Sequence, residues 1–412
     1  MCKKKDILFL CQYFYPEYIS SATLPFDTAL RLKEEGYSVD VLCGVPKEYS
    51  NQNEVPLKEE YQGIKIQRIN YVQLNRKKFL GRIINYFSFT ISVLIRFLKL
   101  RRYKSIIVYS NPPIIPVIAS MANYIFKVKV VYVCYDVYPE IALRTNSISE
   151  KSAITKIMKV CNKVIFKNID VIVALSNEMR DFILNNRNMK QKTQIKVIPN
   201  WYKDEIKNNS DHGIENKIFN FDKNEKKLVI SYFGNLGTAQ DIDTIIKAIE
   251  YFNSDTTIQF LFAVHGNKVE QLRKFVEDKQ IKNVQILSFL HNKDFEDALQ
   301  ISDCFVVSLA EGLTGLAVPS KTYSYMVAGK PIIAIMDKST DIAKDLIENE
   351  AGFAIEVNNS KKLISSIIDL RDNIEKRKIM GNNCRGVFLK KYTTEQCTGQ
   401  YVTLMQNLLE GR

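Results

Sequence analysis

The feature of this sequence that most limits its fold is the regular alternation of short apolar runs with longer segments of helical periodicity. The apolar runs have the length of buried strands, and their alternation with helices predicts parallel sheets built from β-α-β units. The sequence therefore predicts an α/β fold, with strands at 6–11, 38–44, 104–110, 128–134, 170–176 and 195–200 in the first half and at 228–237, 258–266, 284–290, 303–310, 330–336 and 352–357 in the second.

The length of 412 residues is too great for one typical core and predicts two domains. Each half has enough strands for a doubly wound, Rossmann-like sheet, and we expect the two domains to face each other across a cleft. Residues 1–202 form the first predicted domain and residues 228–392 the second, joined by the polar linker 203–227. We expect the last segment, 393–412, to be a helix that packs back on the first domain.

The cysteines are scattered singly along the chain. There are eight of them, with no C-x-x-C pair, and only three histidines. This spacing argues against a zinc site and against a disulfide framework, and it suits a reducing cytoplasm. The apolar segment near the N-terminus is only one strand long, which is too short for the core of a signal peptide. We therefore expect a cytoplasmic protein that binds no metal.

Positive charge is concentrated in the first half of the chain. Residues 1–200 contain 31 Lys and Arg against 16 Asp and Glu, whereas the remainder contains 27 against 29. From Tyr61 to Tyr135 there are 13 basic residues and no acidic one. Within this stretch, segment 76–104 combines an uncharged helical core, Ile83–Ile95, with flanking basic residues: Arg82, Arg96, Lys99, Arg101 and Arg102.

Segment 76–104 has three interpretations. Its uncharged core would be about 20 Å long as a helix, too short to cross a hydrocarbon layer of about 30 Å, but it can lie in the membrane interface with its basic residues on lipid phosphates. A buried core helix beside a solvated basic surface is the second interpretation. Nucleic-acid binding is the third, and it is disfavoured because the basic residues flank an apolar helix rather than aromatic platforms. We expect an anionic membrane surface as partner, and no nucleic acid.

The loops after the strands differ between the two halves. No glycine occurs in residues 1–35, so the first strand lacks the glycine-rich turn of a dinucleotide site. In the second half, Gly234 and Gly237 stand between a strand and a helix, where backbone N–H groups can approach a phosphate. Tight-turn packing explains these glycines equally well. Asp241 and Asp243 lie in the first helical turn, where the helix dipole favours acids.

Further strand ends of the second half present residues suited to one ligand. A molecule with a flat base, a diphosphate and a polyol requires apolar contact, N–H donors with a cation, and polar side chains. Lys321 is the predicted phosphate ligand, because an ammonium at the start of a helix is otherwise poorly placed. A merely exposed lysine is the alternative. The residues predicted to line this rim are Gly266, Leu290, Glu311, Gly312, Gly315 and Lys321.

A series of motifs along nearly the whole chain carries a family resemblance. Individually the motifs are weak, but their order and spacing are specific. The main ones are YFYPE at 13–17, SNPPIIP at 110–116, YDVYPE at 135–140, GNLGTAQDID at 234–243 and PSKTYSYMVAGKP at 319–331. In these motifs the chain resembles retaining glycosyltransferases of the GT-B fold, family 4, in the WbuB-like branch that builds bacterial O-antigen and capsule polysaccharides.

The resemblance implies a function. It implies a nucleotide-sugar donor, with a UDP-sugar favoured, held mainly by the C-terminal domain, and a polyprenyl-diphosphate-linked glycan acceptor reached from the basic N-terminal domain. The transferred group would be a hexosyl or N-acetylhexosaminyl unit, and neither a metal nor another cofactor would be required. The enzyme would be peripheral on the inner face of the cell membrane. The alternative function is that of a GT-B-fold UDP-sugar 2-epimerase. A nucleic-acid-binding protein is the third hypothesis.

The resemblance also assigns residues. Lys321 matches the lysine of the Pro-Ser-Lys motif, and Asp136 lies where the family often contacts the donor sugar or the acceptor. Glu311 is the only carboxylate in the loop before Lys321, and it is assigned a contact with the sugar. This chain has Asn235 and Gln240 where the wider family has arginine and lysine, and Ser324 where the family has a ribose-binding glutamate. The remaining predicted donor ligands are Gly234, Gly237, Gly266, Leu290, Gly312, Gly315 and Ser320.

Overall fold

A computed structural model of the chain describes residues 4–47, 50, 54–75, 79–205, 216–221 and 227–411. These residues form two compact units. The first comprises Met1–Asn200, Gly315–Val318 and Thr394–Arg412, and the second comprises Trp201–Thr314 and Pro319–Thr393. Much of the predicted linker 203–227 lies outside the described residues.

The first unit is a strand and helix alternation that begins at the N-terminus. Its elements up to residue 197 are β1 Lys5–Leu10, α1 Ser20–Glu34, β2 Val39–Gly44, β3 Lys58–Tyr61, β4 Ile64–Ile69, α2 Phe79–Leu94, the 3-10 helix Phe97–Arg102, β5 Tyr103–Tyr109, α3 Pro116–Phe126, β6 Lys129–Cys134, α4 Glu140–Arg144, α5 Ala153–Lys167, β7 Val171–Ala174, α6 Asn177–Asn186 and β8 Gln194–Val197.

These strands form one sheet in the order β3-β4-β2-β1-β5-β6-β7-β8. Every neighbouring pair is parallel except β3 and β4. Phe9 of the central strand β1 is in register with Val41 of β2 and Ile107 of β5, and all three are buried. Helices cover both faces of a parallel sheet, so its buried strands appear in the sequence as continuous apolar runs. The sequence therefore predicts these strands well.

The hairpin formed by β3 and β4 is absent from the sequence-based prediction. Its two turn residues, Gln62 and Gly63, both have positive φ, at 48° and 74°. This is the backbone that a two-residue hairpin turn requires. β3 has only four residues, none of them fully buried, so its apolar signal is weak, whereas β4 buries Ile64, Ile66 and Ile69. The turn itself, a Gln-Gly pair between alternating residues, was the available signal.

The second unit repeats the alternation with its own sheet. Its elements are β9 Leu228–Asn235, α7 Ile242–Tyr251, β10 Ile258–His265, α8 Val269–Asp278, β11 Val284–Leu287, α9 Asn292–Ile301, β12 Cys304–Ser308, α10 Lys321–Val327, β13 Ile332–Ile335, α11 Asp341–Glu348, β14 Gly352–Ile355, α12 Ser360–Asp372 and α13 Ile374–Lys391. The strand order is β11-β10-β9-β12-β13-β14, and all pairs are parallel.

The last helix, α14 Thr394–Glu410, belongs to the first unit. It packs against α1, and it buries Tyr401 and Met405. The unit boundaries at residues 200 and 393 lie close to those predicted at 202 and 392. The predicted fold class, two Rossmann-like α/β domains with parallel sheets, is confirmed. In such sheets ligands bind beyond the carboxyl ends of the strands, so the loops after β9, β10 and β12 and those after β5 and β6 hold the candidate sites.

Candidate active site

The carboxyl end of β9 holds the side chain of Lys321 in a defined position. The ammonium donates a hydrogen bond to the carbonyl oxygen of Asn235 at 3.0 Å, and the Tyr232 hydroxyl donates to the same oxygen at 3.1 Å. The Lys321 nitrogen also lies 3.7 Å from the centre of the Tyr232 ring. Gly234 has φ +96° and lies against the lysine chain. The structure therefore brings together Gly234, Asn235 and Lys321 of the predicted site.

The electrostatic surroundings of Lys321 suit an anion. Burial lowers the pKa of its ammonium well below the usual value, and no carboxylate is among the causes of the shift. Burial disfavours the charged form of an amine unless an opposite charge compensates it. A phosphate at this position would supply that charge and would raise the pKa of Lys321 again.

A histidine that the sequence analysis did not single out lies beside this lysine. His265 is the last residue of β10 and is in register with Asn235. Partial burial lowers the pKa of its imidazole, and the positive charge of Lys321 lowers it further. The available signal was the position of His265 at a strand end, directly before Gly266. Two titratable nitrogen bases thus share one end of the sheet.

Aromatic rings continue from His265 into the loop after β11. The His265 ring centre lies 5.2 Å from that of Phe289, which lies 4.7 Å from that of His291. The side chain of Phe289 is 40% exposed. The predicted ligand Leu290 is the next residue and is partly buried. An exposed ring beside a cation is a suitable surface for a flat base.

The loops after β9 and β10 are packed tightly against each other. A Cβ on Gly266, which has φ +125°, would lie 2.5 Å from the Leu236 carbonyl oxygen, and a Cβ on Gly237 would lie 3.2 Å from the Asn235 amide nitrogen. Gly266 is therefore required by close packing against backbone, whereas a Cβ at Gly237 would meet only the side-chain amides of Asn235 and Asn267, which would have to shift by a few tenths of an ångström. A phosphate contact at Gly237 or Gly266 remains a prediction.

Gln240 closes the loop after β9. Its side-chain oxygen accepts a hydrogen bond from the Gly237 N–H at 2.8 Å, and its carbonyl accepts one from Lys268 at 2.9 Å. Gln240 was predicted as a donor ligand, and a donor contact through its side-chain oxygen is not favoured, since that oxygen is already used within the loop. Among the described residues, the N–H groups of Thr238 and Ala239 have no acceptor, so they are the donors that this loop offers.

The loop after β12 lies beside the loop after β9, because the Ala310 N–H donates to the Ala239 carbonyl at 2.8 Å. Glu311 and Gly312 are exposed on this loop, and Gly312 has φ +75°. These two predicted residues are therefore accessible to a ligand of the second unit.

Ser320 and Ser324 flank the start of α10 differently. Ser320 is exposed, directly before Lys321. Ser324 is 5% exposed, and its hydroxyl donates to the Lys321 carbonyl at 2.8 Å. A hydroxyl turned back onto its own helix and buried is poorly placed for a ribose. The structure therefore does not favour the ribose contact predicted for Ser324.

Asp136 and Gly315, by contrast, lie in the first unit. Asp136 follows β6, and its N–H and that of Tyr135 both donate to the Ser110 hydroxyl, at 3.3 Å and 2.9 Å. Its carboxylate forms no hydrogen bond or ion pair within the described residues, and burial raises its pKa to about 6. Asp136 is half-buried, and a desolvated carboxylate without a partner is costly and is typical of functional positions.

Helix α2 and the 3-10 helix after it have one buried and one exposed face. Phe89 and Val93 are fully buried, so the side facing the sheet is a normal core face. The opposite side exposes a row of large apolar residues, which include Leu80, Ile84, Phe87, Ile91, Ile95 and Leu98, with exposed Arg82, Lys99, Arg101 and Arg102 among them. The interpretation of 76–104 as a buried core helix beside a solvated basic surface thus holds for one face of α2, whereas the opposite face leaves large apolar side chains exposed. Residues 76–78 lie outside the described part of the chain.

Two absences apply to the described residues. No helix among them is both long and apolar enough to cross a bilayer. No three His, Cys, Asp or Glu side chains among them converge on a possible metal position.

Two family models match the chain, and together they span most of it. Residues 22–205 match the model described as Glycosyltransferase Family 4, and residues 213–387 match the one described as Glycosyl transferases group 1. Combined with the two Rossmann-like units, these matches define the class of protein. The chain is a glycosyltransferase of the GT-B type.

Individual relatives agree with this class. The probable glycosyltransferase WbjE of Pseudomonas aeruginosa is 26% identical over 304 residues, which cover 71% of this chain and 72% of the relative. The putative colanic acid biosynthesis glycosyl transferase WcaI of Escherichia coli K12 is 21% identical over 189 residues, 46% of each chain. The structure of HepE from Anabaena in complex with UDP and glucose has a TM-score of 0.70 at 15% identity, covering 98% of this chain and 100% of that one.

Proposed function

We propose that this enzyme transfers a hexosyl or N-acetylhexosaminyl unit from a UDP-sugar to a polyprenyl-diphosphate-linked glycan, with retention of configuration and without a metal. The reaction would contribute to bacterial capsule or O-antigen synthesis, on the inner face of the cell membrane. Within family 4 we assign the chain to the WbuB-like branch, on the motifs between residues 13 and 331.

The observation that carries the donor proposal is the environment of Lys321. Its ammonium is desolvated, and it contacts a carbonyl oxygen and an aromatic ring at the carboxyl end of β9. A diphosphate would supply the negative charge that neither contact provides. Phe289 and its neighbouring histidines provide the surface for a base. The HepE structure, which holds UDP and glucose, supports a nucleotide-sugar as donor.

The proposed chemistry relies on charge stabilisation. As the bond between the sugar and the diphosphate breaks, negative charge grows on the diphosphate, and Lys321 stabilises it together with the N–H groups of Thr238 and Ala239. Preorganised donors of this kind are usually a large part of catalysis. The acceptor hydroxyl attacks from the face that the diphosphate leaves, and a phosphate oxygen of the donor takes its proton. Glu311 would contact the sugar.

Asp136 has the acceptor-side role in this proposal. With a pKa of about 6 its carboxylate is mostly ionised at neutral pH, and it has no partner within the described residues. It can therefore accept a hydrogen bond from the acceptor hydroxyl and orient it for attack.

A membrane surface is the proposed location of the acceptor. The exposed apolar row of α2 and the 3-10 helix fits the interface, and the basic residues beside it fit anionic headgroups. The relative WcaI is named as a putative colanic acid biosynthesis enzyme, and this supports a surface polysaccharide as the product. The named relatives are glycosyltransferases, which disfavours the 2-epimerase alternative.

A ligand screen followed by product analysis tests this proposal. UDP-, GDP-, ADP- and dTDP-sugars are added to the protein, and a ligand that binds only the folded state raises its melting temperature. We expect a UDP-sugar to give the largest shift. The stabilising donor is then incubated with a synthetic polyprenyl-diphosphate glycan, and NMR of the product is expected to show the donor's anomeric configuration. Conversion of the donor to an epimer without acceptor would instead establish the epimerase.

A further inference from the structure

Four residues of the loop between β12 and α10 belong to a different unit from the rest of that loop. Gly315–Val318 is part of the first unit, whereas the residues before Gly315 and after Val318 belong to the second. Gly315 and Leu316 are buried there. We call this segment, Gly315–Val318, the clip.

The clip binds the backbone around Asp136. Ala317 pairs with Asp136 in an antiparallel bridge, and the Val137 N–H donates to the Leu316 carbonyl at 2.8 Å. Leu316 and Val137 are each 2% exposed, so this hydrogen bond is shielded from water. Ser110 holds the N–H of Asp136. The backbone of Asp136 is therefore fixed by two supports, one of which is the clip.

Glycine is required where the clip begins. Gly315 has φ +77°, and a Cβ there would lie 2.7 Å from the carbonyl oxygen of Glu178 and 3.1 Å from Cβ of Phe182. Both atoms belong to helix α6, Glu178 in its first turn and Phe182 at its middle, and a helix backbone cannot move aside cheaply. The close approach to α6 sets the position from which Leu316 and Ala317 reach the Asp136 loop.

We propose that the clip positions the Asp136 carboxylate for the acceptor hydroxyl, and that Gly315 and Leu316 are positioning residues for the transfer reaction. This rests on the role proposed above for Asp136. The same loop carries Glu311 and Gly312 before the clip and Lys321 after it, so a single covalent segment contributes to the donor residues and to the support of the acceptor carboxylate.

Gly315→Ala tests the proposal, with Gly36→Ala as its matched control. Gly36 has a similar φ of +89°, but no atom lies within 4 Å of the position that a Cβ would take, so its substitution adds only the backbone strain. For Gly315→Ala we expect a kcat/KM for the acceptor lower by about tenfold or more, because misplacement by about an ångström has this order of effect. The dissociation constant for the UDP-sugar is expected to stay within about twofold of the parent, because the donor residues lie in the second unit.

The pH profile separates positioning from general destabilisation. A shifted loop admits water to Asp136, so the acid limb of kcat/KM in Gly315→Ala is expected to move to lower pH, which a loss of folded protein alone would not cause. If Gly315→Ala does not fold, Leu316→Ala keeps the carbonyl but removes the buried anchor and is measured in the same way.

The results for Asp136→Asn and Gly315→Ala together distinguish a failure of the clip proposal from a failure of the role proposed for Asp136. Normal activity of Asp136→Asn would refute the proposed role of Asp136. An impaired Asp136→Asn together with a Gly315→Ala that behaves like Gly36→Ala would overturn the clip alone. A Gly315→Ala that loses UDP-sugar affinity would also overturn it, because the segment would then serve the donor.

Discussion

Lys321 has two contacts that hold its nitrogen in place, the Asn235 carbonyl and the Tyr232 ring, and neither neutralises its charge. We therefore expect Lys321→Ala to lower kcat by much more than tenfold, because the diphosphate loses its main cation. The fold should survive, since removing a desolvated ammonium relieves a cost. Steady-state kinetics and thermal unfolding measure both effects.

Lys338→Ala is the control for this prediction. Lys338 is an exposed lysine of the same unit, paired with Glu356 at 2.9 Å, and its loss should change neither rate nor stability by much, because surface ion pairs contribute little. Near-normal turnover of Lys321→Ala would remove Lys321 from the mechanism.

The lowered pKa values of Lys321 and His265 predict proton uptake on donor binding. The diphosphate charge raises the pKa of both groups, so protons bind wherever the pH lies between the free and bound values. A nucleotide-sugar diphosphate has no proton to lose near neutral pH. Calorimetry near pH 7 in buffers of different ionisation enthalpy should therefore show net uptake.

His265→Asn should reduce the proton uptake while the donor still binds, because Lys321 remains. Binding enthalpies that do not depend on the buffer in the parent enzyme would contradict a diphosphate at this position.

Asp136 should lower stability at neutral pH. Burial raises its pKa from 3.8 to about 6, so between these values the folded state holds more protons than the unfolded state, and stability falls as the pH rises. At about 1.4 kcal/mol per unit, the cost above pH 6 is up to about 3 kcal/mol. Asp136→Asn is expected to melt at a higher temperature than the parent at pH 7.5 and at nearly the same temperature at pH 4. Equal melting temperatures at pH 7.5 would show that the carboxylate is compensated.

Helix α2 and the 3-10 helix after it provide the test of membrane binding. Ile95 and Leu98 are 78% and 67% exposed, and Arg101 and Arg102 lie beside them. Each basic residue near an anionic leaflet contributes about 1 kcal/mol, so replacing both arginines by glutamate should lower vesicle partitioning by about tenfold or more. Ile95→Ser with Leu98→Ser should lower it as well, through the lost apolar contact.

Ile347→Ser is the matched control for the apolar change, because Ile347 is 48% exposed in the second unit. Co-sedimentation with phosphatidylglycerol vesicles measures all three variants. Unchanged pelleting of both α2-region variants would count against this surface as the membrane contact.

Elements of the sheets were more predictable than the contacts of the site. Buried parallel strands are recognisable as apolar runs, whereas the hairpin at Gln62 and Gly63 depends on a turn signal of two residues. Lys321 could be selected from its place at a helix start. The hydrogen-bond partner of Lys321 could not be predicted in this way, because every residue has a carbonyl oxygen. Only the folded end of β9 brings the Asn235 carbonyl oxygen within reach of the lysine. Gln240 and Ser324 show the same limit, since local hydrogen bonds decide where their polar atoms point.

At the scale of the whole molecule, the two units divide the proposed tasks. The second contains the lysine, the aromatic row and the loop glycines that suit a nucleotide-sugar. The first contains Asp136, the basic acid-free stretch and the exposed face of α2. The charge asymmetry of the sequence was the earliest sign of this division, because an excess of basic residues limited to one domain indicates a negatively charged surface as its partner.

The path of the chain limits how such an enzyme can be recombined. The first unit is assembled from three separate stretches, since Gly315–Val318 and Thr394–Arg412 complete it. In the complete first unit, α14 covers one face of α1. A fragment that stops at Asn200 lacks α14, so that face would be exposed to water. A chimaera designed to change the donor sugar should therefore exchange Trp201–Thr314 and Pro319–Thr393 while keeping the clip and the last helix of the acceptor parent.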